Sequence, residues 1–242
     1  MSVTDVNLGG MFVAQLTSPE AGARAAAVLL IPVGATEQHG PHLPLSTDTD
    51  LAAALCARAA ARRADLLVAP AVAYGASGEH AGFPGTLSIG RAALELLVVE
   101  LCRSATDTFS RIALVNGHGG NVAALGRAVT LLRSESRDVR LFSPDYRGDA
   151  HAGHAETSLQ LALDPARVRA DRAEPGDTRP LAEVLPLLRA AGVRAVSANG
   201  VLGDPTGANA DAGEELLTAA TAALLDRLRH WWPRHPEEGT AR

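Results

Sequence analysis

The chain has 242 residues, of which 47% are hydrophobic and 20% are charged, and its formal net charge is −5 at pH 7. These values are typical of a globular protein with a substantial core, and they exclude a disordered chain. The acidic balance gives no electrostatic reason to expect nucleic acid or an anionic membrane surface as a partner.

Neither targeting nor membrane segments are visible. The N-terminal stretch "MSVTDVNLGG" lacks the basic and apolar regions of a secretory signal. The longest apolar run, "AAAVLLIPVGA", is too short to span a bilayer. Cys56 and Cys102 stand alone inside helical patterns, which predicts buried thiols. We therefore expect a cytoplasmic protein.

Short apolar runs alternate with longer segments whose apolar residues recur at helical spacing. The strand-length runs are 27–33, 66–72, 111–116, 139–143 and a less regular one at 193–198. The helical segments are 49–63, 91–108, 121–136, 155–163, 180–191 and 211–231. This alternation predicts an α/β fold with a mostly parallel sheet. No repeat or linker interrupts it, so we expect a single domain over residues 1–234 and a disordered tail over 235–242.

Three loops rich in metal-ligand side chains follow predicted strands. They are "VGATEQHGPHLPLSTDTD" (33–50), "NGHGGN" (116–121) and "DYRGDAHAGHAETS" (145–158). In open parallel sheets, ligands bind at the carboxyl ends of the strands, where such loops lie. The placement therefore predicts that the three loops converge on one metal site.

In the first loop, Glu37 and His39 are two residues apart, so in extended backbone both side chains point to the same side. Taken alone, this pair fits a surface loop equally well. Asp48 begins a predicted helix and suits an N-cap, but Ser46 or Thr47 can serve as the cap and leave Asp48 free to ligate.

The other ligand-type residues of the first loop fit structural roles better. Prolines on both sides of His42 predict a rigid turn. Asp50 lies in the first turn of the predicted helix, where the helix dipole favours a carboxylate.

The second and third loops each allow an alternative. The glycines around His118 let it approach a metal closely, whereas a phosphate-binding loop requires G-x-G-x-x-G or a Walker lysine, and the chain has no lysine. The third loop offers His151, His154 and Glu156 just before a helix. There the alternative is helix capping by Glu156 and Thr157.

Four segments together resemble a known family. "VGATEQHGPHLPLSTD", "SGEHAGFPGTLS", "VNGHGGN" and "HAGHAETS" are similar to the signature segments of the creatininase (creatinine amidohydrolase) family, in the same order. The resemblance implies a three-layer α/β/α fold, a centre of two divalent metals, amide-bond hydrolysis and a homo-oligomer, often a hexamer. It also implies that Glu37 and His118 hold one metal, that His39 holds the other, and that Asp48 bridges them.

Two differences from creatininase narrow the choice of substrate. Creatininase has a metal-binding glutamate two positions after the "NGH" histidine, where this chain has Gly120, and it encloses creatinine with tryptophans. The tryptophans here are Trp231 and Trp232, in the last predicted helix. The remaining branches are the formamide deformylases and the creatininase-like peptidase of the mycofactocin system, which releases a modified C-terminal dipeptide from a precursor peptide. "NLGGMF" and "SANGVLGDPTGA" (197–208) are most similar to the mycofactocin branch.

The expected chemistry follows from the ligand types. Mixed imidazole and carboxylate ligands suit Zn, Fe(II) or Mn, and two divalent ions activate water for attack on an amide. We expect His151, or alternatively His154, to carry the proton to the leaving amine. Loop N–H groups are candidates to stabilise the oxyanion. For the expected small peptide or amide substrate, the candidate contact residues are His80, Gly119, Gly120 and Asn199; surface loops are the alternative for His80 and Asn199.

A charge argument selects one more ligand. Two divalent ions with a bridging hydroxide, held by Glu37 and Asp48 alone, keep one net positive charge, which is costly in a buried site. Glu156 follows a histidine and opens a helix, so we expect it to ligate the metal held by His39. The other candidate acids fit less well: Asp50 lies inside the helix start, and Asp145 and Asp149 flank Arg147.

A rival hypothesis is a non-catalytic nucleotide-binding module on the same fold. Only the glycine loop supports it, and the clustering of ligands argues against it. The two hypotheses differ in metal content, because the hydrolase needs about two ions per chain and the module needs none.

Overall fold

The computed structural model describes residues 11–146 and 148–233. The predicted tail over 235–242, the start of the "NLGGMF" segment and Arg147 lie outside the described residues. In chain order the elements are α1 (Ser18–Gly22), β1 (Val28–Val33), α2 (Thr47–Ala60), β2 (Leu66–Val68), α3 (Gly90–Ala105), β3 (Arg111–Asn116), α4 (Val122–Ser134), β4 (Asp138–Phe142), α5 (His154–Leu163), α6 (Leu181–Ala191), α7 (Val193–Val196) and α8 (Ala210–Trp231).

The strands form one parallel sheet in the order β2-β1-β3-β4. β1 and β3 are the inner strands and read as continuous apolar runs, as expected for strands covered on both faces. Their register places Val33 opposite Asn116, so the two strands end side by side. The first two ligand-rich loops therefore leave the sheet next to each other.

Two hydrophobic cores lie on opposite faces of the sheet. Leu29 and Ile31 of β1 pack with α3 and α4, whereas Val28 and Leu30 pack with α2 and α8. The alternation follows from the two-residue period of a strand. The predicted three-layer α/β/α architecture with a parallel sheet is confirmed.

The predicted helices agree with the structure to within three residues at each end, but two strand predictions differ from it. The run 66–72 forms a strand only over Leu66–Val68. The Ala69 N–H still donates to the Leu30 carbonyl, and pairing resumes as a single bridge at Val72, whose N–H donates to the Pro32 carbonyl. The strand predicted over 193–198 is wrong. Gly192, at φ +77°, ends α6, and the next residues form the short helix α7 against the 3₁₀ turn Gly78–His80. Short apolar runs do not distinguish a strand from a buried helical turn.

Both thiols are buried and free, as predicted. Burial raises the pKa of Cys102 to about 12 and that of Cys56 further, so both stay protonated and inert. Among the described residues, no helix combines the length and apolar character that a transmembrane span requires.

Candidate metal centre

The five predicted ligands come together at the carboxyl edge of the sheet. They form two overlapping groups that share Asp48, and within each group the ligand atoms lie within 4.8 Å of one another. One group is Glu37, Asp48 and His118; the other is His39, Asp48 and Glu156. Each Asp48 oxygen faces one side: Oδ1 lies 3.2 Å from His39 Nε2 and Oδ2 lies 3.3 Å from His118 Nδ1. This arrangement suits a carboxylate that bridges two cations.

Backbone carbonyls orient both histidines. His39 Nδ1 donates to the Glu37 carbonyl at 3.2 Å, which turns Nε2 toward Asp48 and toward Glu156 Oε2, 3.9 Å away. His118 Nδ1 faces Asp48, while its Nε2 lies 3.3 Å from the Ala76 carbonyl oxygen and 3.2 Å from Glu37 Oε2. Metal-binding histidines commonly have such a carbonyl partner on the other ring nitrogen. The geometry thus leaves one nitrogen of each ring available to a cation.

The buried carboxylates lack well-aligned hydrogen-bond donors. Both Glu37 oxygens and Asp48 Oδ2 are inaccessible to solvent and accept no well-aligned hydrogen bond from the described residues, although an imidazole nitrogen lies 3.2–3.3 Å from each of them. A buried carboxylate without donors costs several kcal/mol, roughly, unless a cation compensates it. The residues present therefore fit divalent metal ions.

The pKa shifts of the ligand residues also indicate a centre that attracts positive charge. Burial, and then the neighbouring Asp48, raises the pKa of Glu37 to about 8. Burial alone would lower the pKa of His39, but the Asp48 carboxylate, followed by Glu156 and Glu37, raises it to about 10. Burial likewise opposes a charge on His118, yet Asp48 and Glu79 raise its pKa well above the usual value. The centre attracts positive charge, and protons on these groups supply it in the absence of metal.

Two further predicted residues line the same centre. His80 and His151 are buried, with ring centroids 4.5 Å apart. His151 Nδ1 lies 4.0 Å from both Glu37 Oε1 and Glu156 Oε2, and His80 Nε2 lies 3.2 Å from Glu37 Oε1. Burial, and then the charge of His39, lowers the pKa of His80 to about 4 and that of His151 well below its usual range. Both rings are therefore neutral at physiological pH.

Gly120 packs tightly, whereas Gly119 does not. A Cβ atom at position 120 would lie 2.1 Å from Glu79 Oε1 and 2.4 Å from His118 Nε2, but one at position 119 would meet nothing within 4 Å. Glu79, which the sequence analysis did not select, thus places a carboxylate beside the space that a side chain at position 120 would fill. Its Oε1 lies 3.4 Å from His118 Nε2.

The other candidates make structural contacts. Asn199 Oδ1 accepts from the Ser197 hydroxyl and from the Val201 N–H, and its Nδ2 donates to the Pro175 carbonyl, so its polar atoms already have structural partners. His42 bonds to Thr157 Oγ1 at 2.8 Å. The Asp50 carboxylate pairs with Arg167 at 2.7 Å, in agreement with its expected structural role.

The capping alternatives hold only in part. Glu156 Oε2 accepts the Ala152 N–H at 2.6 Å, just before α5, while the same oxygen faces His39. Ser46 is the N-cap residue of α2, but its hydroxyl donates to Asp50 and accepts no N–H from the first turn of the helix. Asp48 does not cap the helix either, since Oδ1 contacts His39 and Oδ2 accepts no well-aligned hydrogen bond from the described residues.

Gln38, which is buried, is a second residue at the centre that the sequence did not indicate. Its side-chain amide contacts His80, His151 and the Gly200 carbonyl. No sequence signal marks it, because alternation in extended backbone places it opposite Glu37 and His39.

Comparisons with known proteins agree on one family. The family model described as "Creatininase: Creatinine amidohydrolase" matches residues 14–228. The chain is 55% identical over 214 residues to a "Mycofactocin precursor peptide peptidase" of Mycolicibacterium smegmatis, covering 85% of this chain and 86% of the relative. A solved structure named "Creatininase Mn" superposes with a TM-score of 0.78 at 32% identity, covering 93% of this chain and 100% of the other. A mutant creatininase of "Zn-Zn type" superposes with a TM-score of 0.77 at 31% identity, covering 93% and 99%.

Proposed function

Because this chain belongs to the creatininase family and is therefore a metal-dependent amide-bond hydrolase, we propose that it is a peptidase acting on a precursor peptide of the mycofactocin type. The observation that carries the proposal is the pair of ligand groups that share Asp48. The 55% identical relative, named as such a peptidase, supports the choice of substrate. By analogy with that branch, the scissile amide precedes a modified C-terminal dipeptide.

The proposed centre holds two divalent ions of Zn, Fe(II) or Mn per chain. Glu37 and His118 would hold one ion, His39 and Glu156 would hold the other, and Asp48, which belongs to both groups, would be shared. The mixed imidazole and carboxylate donors suit all three metals, and the Mn and Zn forms of the solved creatininases agree with this range. When bound, the ions polarise the amide carbonyl and activate water.

The remaining residues of the centre bind the substrate and move protons. His151, neutral and with Nδ1 facing the carboxylates, accepts a proton and delivers it to the leaving amine. Gly119 and Gly120 open a 3₁₀ turn, whose leading N–H groups have no partner within the turn, so they can donate to the oxyanion. His80 contacts the substrate beside Glu37. Asn199 contributes through the shape of its loop.

A formamide or another linear amide is the alternative substrate within the family. Creatinine fits less well, because both tryptophans lie at the end of α8, where Trp232 donates to Asp138 and packs in the core under the sheet. No tryptophan is therefore available to stack on a creatinine ring at the centre. A non-catalytic nucleotide-binding role would leave the orphaned carboxylates unexplained.

We also propose that the protein is a cytoplasmic homo-oligomer, with a hexamer as the expected assembly. Leu96, Leu97 and Leu101 leave apolar surface exposed on α3, which favours self-association. Light scattering on a size-exclusion column gives the mass directly, and a monomer at micromolar concentration would refute the oligomer.

The experiment that tests the function compares metal-free and metal-loaded enzyme on three substrates: the modified precursor peptide, a formylaminopyrimidine and creatinine. Chelation should abolish peptide cleavage, and Zn, Fe(II) or Mn should restore it, with about two ions per chain by elemental analysis. His118→Ala should lose metal and activity. His230→Ala, which changes an exposed histidine of α8, is the control. Full cleavage by protein shown to be metal-free would refute the proposal.

A further inference from the structure

Gln38 lies at the centre of the histidine cluster with a side chain held in one orientation. Its Oε1 accepts the Gly40 N–H at 2.9 Å, and since a backbone N–H can only donate, this atom must be the amide oxygen. Its Nε2 therefore supplies two hydrogens. One goes to the Gly200 carbonyl at 3.1 Å, and the other goes to His80 Nδ1 at 2.8 Å.

The amide determines where His80 carries its proton. Because His80 Nδ1 accepts from Gln38, the hydrogen of the neutral ring is on Nε2. That nitrogen lies 3.2 Å from Glu37 Oε1. His80 thus presents an N–H to the carboxylate edge of the centre.

The main chain of the same residue determines the proton of His151. His151 Nε2 lies 2.9 Å from the Gln38 carbonyl oxygen, which can only accept, so the ring hydrogen is on Nε2. The contact between His151 Nε2 and Gln38 Nε2, at 3.1 Å, carries no further hydrogen, because both amide hydrogens are already used. His151 Nδ1 therefore keeps its lone pair toward Glu37 and Glu156.

We propose that Gln38 is a positioning residue that fixes opposite hydrogen-bonding roles for two neighbouring rings: His80 as an N–H donor and His151 as a lone-pair acceptor toward the metal centre. The assignment of the centre rests on the proposed function, whereas the tautomers rest only on the contacts of Gln38. A ring that presented its lone pair at the place of His80 would face the Glu37 carboxylate and repel it. By donating to His80 Nδ1, Gln38 excludes this tautomer without contacting the reacting atoms.

Gly200 is the residue that makes room for Gln38. A Cβ atom there would lie 1.9 Å from Gln38 Oε1 and 2.5 Å from its Cδ. Gly200 has φ +83°, and Gly207 has φ +81° but nothing within 4 Å of its Cβ position. Alanine at either position brings the same backbone strain, and only the change at Gly200 displaces Gln38.

The test is the ring tautomer, read by long-range ¹H–¹⁵N correlation spectra of ¹⁵N-histidine-labelled, Zn-loaded protein without substrate. Wild type should show His80 and His151 both protonated at Nε2. Gln38→Met keeps the length of the side chain and removes its N–H groups, so His80 should become a mixture of tautomers. His151 should not change, because the main-chain carbonyl remains.

If Gln38→Met folds poorly, alanine variants of Gly200 and Gly207 provide the same test. Gly200→Ala should shift the His80 signals, and Gly207→Ala should leave them as in wild type. Wild-type His80 protonated at Nδ1, or His80 signals that ignore both Gln38→Met and Gly200→Ala, would overturn the inference. The expected tautomers in a protein that cleaves no amide would instead refute the proposed function and leave this inference intact.

Discussion

A methyl group added at Gly120 tests the metal centre most directly. The new Cβ would lie 2.1 Å from Glu79 Oε1, 2.4 Å from His118 Nε2 and 2.5 Å from the Ala76 carbonyl oxygen, where ordinary contact begins at 3.4 Å. The Glu79 side chain can swing away, but the Ala76 oxygen belongs to the backbone. The imidazole of His118 must therefore shift by about 1 Å, or the loop must move as a whole.

A shift of that size exceeds what metal coordination tolerates, because ligand distances hold to within about 0.2 Å. We expect Gly120→Ala to weaken binding of the ion on the His118 side by about 10–100-fold or more, as the loss of an orienting partner does. The overlap should also lower the free energy of unfolding of the metal-free protein by about 1–3 kcal/mol. Competition with a chromophoric chelator measures the first quantity, and urea unfolding in EDTA measures the second.

Gly119→Ala is the matched control, because it adds the same methyl one residue earlier, where nothing lies within 4 Å. Neither glycine has a positive φ, so backbone strain does not separate the two variants. Wild-type metal affinity in Gly120→Ala, or equal losses in both variants, would refute the steric reasoning.

Three further predictions concern charge, pH and substrate. Glu156→Gln should keep the fold but lose about one ion per chain and most activity, since the centre then retains an uncompensated charge; elemental analysis that finds two tightly held ions would assign the ligand elsewhere. Metal affinity should rise with pH, because ions must displace the proton from His39, whose pKa the surrounding carboxylates raise to about 10 despite burial. Removing that proton makes metal binding less favourable by about 4 kcal/mol at pH 7, and this loss disappears near pH 10. Calorimetry in buffers of different ionisation heat should detect the released protons. A metal affinity that does not change with pH would contradict this prediction. The kcat/KM on creatinine should be negligible beside that on a peptide. Comparable values would show that creatinine hydrolysis does not require tryptophans that enclose the substrate.

The sequence predicts well where one physical signal dominates. The layers follow from apolar periodicity, and convergence of the loops follows from the rule that parallel strands end at one edge. The prediction fails where the signal is short: β2 ends at Val68, and the apolar run after Gly192 forms α7. Neither outcome depends on hydrophobicity, so periodicity carries no information about it.

The residues missed at the centre were missed for a different reason. Glu79 approaches His118 only because the turn Gly78–His80 packs across the strand ends, a contact between segments distant in sequence. The role of Gln38 depends on the hydrogen bonds of its side-chain amide to His80, Gly200 and Gly40, which only the folded structure brings around it. Glu79 lies outside the three ligand-rich loops that follow predicted strands, so the rule that ligands gather at strand ends does not point to it.

The pairing of β1 with β3 also sets the order of events during synthesis. Val28 pairs with Arg111, so the two inner strands meet only after a long intervening segment has emerged, and such distant pairing is slow. Glu37, His39 and Asp48 leave the ribosome well before His118 and Glu156. An ion captured by the nascent chain therefore meets an incomplete set of donors and escapes readily. Stable metal binding requires the finished sheet, which brings the donors of all three loops together.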